Sequence, residues 1–174
     1  MAVKAIMVDV DGVIVRHPHP KGWAANLEAD LGLRIEDLET AFFRPHFQDV
    51  ACGRATLRER LGPVLATIAP HLTYETLRTY WFERAAYLWT HLRLKDHFDA
   101  MHYSAAIGHA KPDPEFYAAI EAATGFAPNE LFYIDDREIC VEAARSRGWP
   151  AAVWTGKNRL ADLLVKTDVE LESR

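Results

Sequence analysis

Cysteine is scarce in this sequence. It occurs only at Cys52 and Cys140, far apart and in no metal-type pair, so two buried thiols in a reducing, cytosolic compartment are expected. Long apolar runs are missing too. None approaches the roughly 18 residues of a membrane-spanning helix, and the short run at the N-terminus is broken by Asp9, so no secretory leader and a cytoplasmic location are expected. Basic blocks are also absent. Lys and Arg total 20 against 25 Asp and Glu, and the net charge is −5. That argues against a nucleic-acid backbone as the main partner but leaves a small anionic ligand open. There is no internal repeat and no low-complexity segment. What remains is an ordinary soluble composition, 49% hydrophobic over 174 residues, enough for one domain or a core with a small insert.

Residues 2–10 read as a strand. The run is short, rich in Val and Ile, and not alternating, which predicts burial on both faces of a parallel sheet. Asp11-Gly12 ends it. Residues 16–95 differ. After the loop His17-Pro18-His19-Pro20, helical patterns fall near 22–31, 35–44, 55–69 and 73–93, with Leu27, Leu31, Leu38, Phe42, Leu57, Leu61, Leu65 and Ile68 at helical spacing. Gly32, Pro45, Gly53 and Pro70 punctuate them. From 96 onward the chain alternates: a strand at 98–104, a helix capped by Asp113-Pro114 and stopped by Gly125, a strand at 130–134, a helix at 137–147, a strand at 151–155 and a helix at 158–166. Alternation predicts an α/β fold with a doubly wound parallel sheet. The expected division is a core of 1–15 and 96–174 and a helical insert of 16–95, whose last part, about 84–95, could belong to the core.

In such sheets ligands bind beyond the carboxyl ends of the strands. Three of these ends carry chemistry. The first strand delivers Asp9 and Asp11, two apart and so on one face of a regular strand. The strand at 98–104 leads to Lys111, and the strand at 130–134 leads to Asp135 and Asp136. Up to four carboxylates and one ammonium would converge. Unneutralised, the carboxylates would repel one another and rise in pKa. A hard divalent cation resolves this, and Mg²⁺ suits one or two carboxylates, waters and a phosphate. Each element also has a plainer reading. An Asp-x-Asp-Gly stretch can be a solvated turn, Asp135-Asp136 can cap the next helix, and a lone Lys is usually at the surface. The histidines, Arg16, Arg44 and Arg54 carry no assigned role, and Trp81, Trp89, Trp149 and Trp154 read as packing.

Asp9-Val10-Asp11-Gly12-Val13, Lys111-Pro112-Asp113-Pro114 and Ile134-Asp135-Asp136, in that order and context, resemble the haloacid dehalogenase superfamily of hydrolases. The resemblance covers residues 1–15 and 96–166, and the helical insert resembles the cap that one subfamily places after its first motif. It implies that Asp9 is a nucleophile forming an aspartyl-phosphate and that Asp11 is the general acid and base. Asp9, the Asp11 main-chain carbonyl, Asp136 and Asp135 would be metal ligands, Asp135 directly or behind the others. Lys111 would neutralise Asp9 and the phosphoryl group, and Gly12 would lie at the phosphate. The implied function is Mg²⁺-dependent hydrolysis of a small phosphomonoester. Dehalogenases of the superfamily typically lack the second Asp, so Asp11 favours phosphate over halide.

One family strand, ending in a phosphate-binding Ser or Thr, is missing between the cap and the Lys motif. Tyr80-Trp81-Phe82-Glu83 resembles the last cap helix before it, and Arg84-Ala85-Ala86-Tyr87-Leu88 the helix after it. About 25 residues are absent between them. Either two helices have fused into one over 73–93, about 30 Å long, leaving four strands, or a segment is lost near Glu83–Arg84. If the strand at 98–104 moves beside the first, Ser104 could supply the hydroxyl. Losing that hydroxyl would cost about 10²–10³ in rate. The competing readings are a catalytically impaired metal- or ligand-binding domain, a phosphomutase or dehalogenase of the superfamily, and a phospho-accepting receiver domain, against which the insert counts.

Overall fold

The computed structural model describes residues 2–15, 19, 22–167 and 170–171, with 85–92, 95 and 170–171 given by backbone alone. Arg16, His17, Pro18 and Pro20 lie outside the described residues. The chain opens with β1 (Ala2–Val3) and β2 (Ala5–Val8) and then runs through α1 (Leu27–Leu31), α2 (Ile35–Leu38), α3 (Arg44–Ala51), α4 (Leu57–Ile68), α5 (Tyr74–Leu92) and α6 (Ser104–Ile107). It returns as α7 (Pro114–Thr124), β3 (Leu131–Asp135), α8 (Glu138–Ser146), β4 (Ala151–Val153), α9 (Leu160–Lys166) and β5 (Glu170–Leu171). Two compact units result. Residues 1–16 and 109–174 form the α/β unit, and residues 17–108 form the helical unit.

The helical unit closes on Leu27, Leu33, Leu38, Phe42, Leu61, Leu65 and Leu77, each at most 2% exposed. Leu38 and Phe42, and Leu61 and Leu65, are four apart, the spacing that stacks side chains on one helix face. Trp23 stacks on Trp81 with ring centroids 5.0 Å apart, and Phe43 meets Trp81 edge-on at 5.4 Å. Pro45 does not end its helix as expected. Residues 39–43 form a π-turn, and Pro45 then falls in the first turn of α3, where a missing N–H costs least. A reciprocal capping box starts α4: Glu59 N–H donates to Thr56 Oγ1 and Thr56 N–H to the Glu59 carboxylate. Helix α5 is one continuous helix of 19 residues capped by Thr73, in line with the helical pattern expected over 73–93.

The α/β unit carries a three-stranded parallel sheet of order β2-β3-β4, with Val8 beside Ile134 and Asp135 beside Val153. Strand β1 pairs separately with β5. Alternation along β3 sorts its side chains. Phe132 and Ile134 pack with Val3 and Leu163 of α9. Tyr133 faces the other way, edge-on to Tyr117 of α7 and to Trp149. Helices thus cover both faces, as in a doubly wound sheet. Trp154 packs against the Leu163 cluster, and the Trp89 side chain lies outside the described residues.

Two sequence expectations fail. The strand buried on both faces is β3, every residue of which is buried, whereas β2 is half-exposed along its length. Among the described residues β2 has a sheet neighbour on one side only, so one flank of an apolar strand stays open. The expected strand at 98–104 does not form either. Residues 98–103 pair with nothing in a sheet, Ser104 instead opens the single-turn helix α6, and Phe98, Met101 and Tyr103 are 43%, 61% and 56% exposed. A β-favouring composition needs a sheet face to pack on, and none is offered there. Among the described residues no helix is long and apolar enough to cross a membrane.

Candidate functional site

The carboxyl ends of β2 and β3 lie side by side. Asp9 follows β2, and its N–H donates to Ile134 O at 2.8 Å. The chain then turns tightly: Ile14 N–H donates to Val10 O at 3.0 Å and Gly12 N–H to Val15 O at 2.8 Å. Asp11 forms a bridge with Val15 inside this turn, so Asp9 and Asp11 do not share a regular strand. Asp135 ends β3 and Asp136 follows it. Lys111 arrives on the loop between α6 and α7.

Lys111 Nζ donates to Asp9 Oδ1 at 2.6 Å and to Asp135 Oδ2 at 2.7 Å. The Lys111 and Asp9 side chains are each about one-fifth exposed and Asp135 is wholly buried. Asp135 is fully engaged. Tyr133 OH also donates to its Oδ2, and Arg137 N–H donates to Oδ1 at 2.8 Å. One ligand oxygen each from Asp9, Asp135 and Asp136 lie within 4.8 Å of one another. Asp135 spends its oxygens on these donors, so the freer carboxylates are Asp9 and the exposed Asp136. Oxygen-only donors of this kind fit a hard divalent cation.

Gly12 ties the turn to Asp136. Its φ is +90°, and a Cβ there would lie 2.1 Å from Asp136 Oδ2. Since its N–H is already bonded to Val15, what Gly12 offers the site is space rather than a donor.

Charge follows from this arrangement. Burial pushes the Asp11 carboxyl up and neighbouring Asp9 adds to it, with Lys111 opposing. Burial, then Asp135 and Asp9, raise Asp136. For Asp135 burial works upward, but the Lys111, Tyr133 and Arg137 hydrogen bonds outweigh it and hold the carboxyl below its usual range. For Lys111 burial works downward, but bonds to Asp135 and Asp9 win and the ammonium is held above its usual value. Asp135 and Lys111 are thus held in their charged forms, while burial and neighbouring carboxylates disfavour the anionic forms of Asp11 and Asp136.

The expected Asp9, Lys111, Asp135 and Asp136 therefore come together, with Asp11 and Gly12 in the adjoining turn. Ser104 does not arrive on a strand end as expected, since it belongs to α6 of the helical unit. Tyr133 went unnoticed in the sequence. Its signal was there: residues two apart on a strand share a face, so Tyr133 had to lie beside Asp135. In the helical unit, a groove of about 450 Å³ between Leu31, Thr76, Tyr80 and Arg84 includes none of these residues.

Residues 83–153 match the family model described as haloacid dehalogenase-like hydrolase. The fold is that of the haloacid dehalogenase superfamily. Among solved structures, a haloacid dehalogenase-family enzyme from Bacteroides thetaiotaomicron, in complex with magnesium and inorganic phosphate, superposes with a TM-score of 0.71 at 17% identity, over 93% of this chain and 99% of that one. A predicted hydrolase of the same family from Porphyromonas gingivalis gives 0.70 at 19% identity, over 95% and 98%. An L-2-haloacid dehalogenase from Xanthobacter autotrophicus, with chloropropionic acid covalently bound, gives 0.59 at 19% identity, over 94% and 83%. No curated protein matches the chain in sequence. At such identities the likeness to solved structures is one of fold, and among these neighbours the fold carries inorganic phosphate in one and covalently bound chloropropionic acid in another.

Proposed function

We propose that the protein is a Mg²⁺-dependent phosphatase of small phosphomonoesters that works through an aspartyl-phosphate. The observation that carries this reading is Lys111 Nζ bridging Asp9 and the buried Asp135, with Asp136 beside them and Asp11 in the next turn. The Asp9 carboxylate attacks phosphorus while the ester oxygen leaves with a proton from Asp11. Asp11 then takes a proton from water, the water oxygen attacks the phosphorus, and Asp9 is released with inorganic phosphate. Lys111 offsets the negative charge that Asp9 and the phosphoryl oxygens share. Asp9, Asp136 and the Asp11 main-chain carbonyl would hold the cation, with Asp135 behind them, and the bound cation supplies charge neutralisation to the phosphoryl group. The helical unit would act as the cap that excludes water and selects substrate. Asp11 favours this reading over dehalogenation, since the resemblance associates that second Asp with phosphate chemistry.

The test is hydrolysis of para-nitrophenyl phosphate with and without Mg²⁺. Turnover that needs Mg²⁺ and vanishes in Asp9→Asn is expected. No turnover in folded protein, or turnover indifferent to Asp9→Asn, overturns it. A second reading has one observation in its favour. No strand among the described residues flanks β2 on its open side, where a Ser or Thr hydroxyl could reach phosphate. On that reading the site binds cation and phosphate but turns over about 10²–10³ slower. Calorimetric binding without measurable turnover distinguishes the two.

A further inference from the structure

Tyr133 is 4% exposed and has no part in the reaction as written above. Its ring is clamped edge-on by Tyr117, at 5.8 Å and 83°, and by Trp149, at 6.2 Å and 89°. Two perpendicular aromatic contacts leave the ring little freedom. The hydroxyl donates to Asp135 Oδ2, the same oxygen that accepts from Lys111, and Lys111 Nζ also stands 5.8 Å from the centroid of the Tyr133 ring. Asp135 is held at its other oxygen by Arg137 N–H, so neither of its torsions is free.

We propose that Tyr133 is the positioning residue for Lys111: by locking the Asp135 carboxylate and flooring the ammonium with its ring, it aims the remaining Lys111 N–H at the phosphoryl group. Two of the three ammonium protons go to Asp9 and Asp135. Rotation about the Cε–Nζ bond is set by those two acceptors, and the third N–H is left for an incoming phosphoryl oxygen. Asp9 changes partner during the reaction, when its carboxylate becomes an acyl phosphate and a poorer acceptor. Asp135 does not react, so it is the lasting anchor of the ammonium, and Tyr133 is the anchor of Asp135. This deepens the phosphatase reading and rests on it for its kinetic test.

Tyr133→Phe keeps the ring and its packing and deletes only the hydroxyl. Hydrogen bonds to a charged group are strong enough to predict a fall in kcat of about 10- to 100-fold. Calorimetric Mg²⁺ affinity should change by less than about threefold, since the residues that would hold the cation do not include Lys111, and kcat/KM for para-nitrophenyl phosphate should fall at least as far as kcat. An unchanged kcat overturns the proposal. So does a parallel loss of Mg²⁺ affinity and melting temperature, which would make Tyr133 merely structural. If the wild-type protein does not turn over, the phosphatase reading fails and the positioning claim is read by NMR instead. The Lys111 ammonium, held by two carboxylates, should give a resolved exchange-protected signal in the wild type that broadens in Tyr133→Phe. An identical signal in the two proteins overturns the claim independently of activity.

Discussion

Gly12→Ala should separate backbone strain from damage to the cation site. Gly12 has φ +90°, a conformation that costs a residue with a Cβ about 1–3 kcal/mol. The new methyl would also lie 2.1 Å from Asp136 Oδ2 and 2.6 Å from Asp136 Cγ, far inside contact distance. Asp136 is an exposed side chain that can swing away, so the collision adds little to the loss of stability. It removes a carboxylate from its place beside Asp9 instead. The variant should melt about 2–12 °C lower, measured by circular dichroism with EDTA present. Its calorimetric Mg²⁺ affinity should fall at least tenfold. Placed on Asp136→Ala, where the collision partner is gone, the same substitution should cost only the strain, and the difference between the two backgrounds measures the coupling. Mg²⁺ affinity and melting temperature both equal to wild type would refute the close approach of Gly12 to Asp136.

Lys111→Met leaves the wholly buried Asp135 without its ammonium. Breaking such a pair costs about 3–5 kcal/mol when fully buried, and one-fifth exposure of Lys111 and Asp9 moves the expectation to about 2–3 kcal/mol, read from urea midpoints, with phosphatase activity abolished. Asp136→Asn should stabilise the cation-free protein at pH 7. Burial, Asp135 and Asp9 raise the wild-type carboxyl above 3.8, so its protonated form contributes stability that is complete below pH 3.8 and is lost as pH rises through the raised value. Urea midpoints with EDTA should therefore favour the variant at neutral pH and converge with wild type below pH 3.8. Thr56→Ala removes the α4 capping box and should cost about 1 kcal/mol, measured by thermal melts, with Mg²⁺ affinity unmoved.

The legible parts of this molecule were those governed by local rules. Asp113-Pro114 and Gly125 bound α7 where turn chemistry put them, although the Asp113 side chain makes no capping bond. The leucines of the helical unit fall on its core because a 3.6-residue period maps spacing directly onto a buried face. Asp9, Lys111, Asp135 and Asp136 were legible because strand ends in a parallel sheet converge. What failed depends on neighbours far along the chain. Phe98 to Tyr103 has strand composition, yet whether it pairs is decided by a sheet edge that the local residues do not encode. The apolar run of β2 looked doubly buried, but burial belongs to the strand with neighbours on both sides, and that strand is β3.

The same distinction bears on the chemistry. Carboxylates are abundant here: Asp9, Asp11, Asp135 and Asp136 come from turns and strand ends that need only β2 and β3 in register. Lys111 is committed to two of those carboxylates, and the nearby Arg137 guanidinium donates to Cys140 Sγ at 2.7 Å. A phosphate dianion entering without a cation would meet up to four carboxylates, and burial together with the neighbouring carboxylates already raises Asp11 and Asp136, so further negative charge is disfavoured there. On the phosphatase reading, attraction for the ligand comes chiefly from a divalent cation seated first. On that reading, holding the Lys111 ammonium still matters more, which is the part proposed for the buried Tyr133 and its hydrogen bond to Asp135.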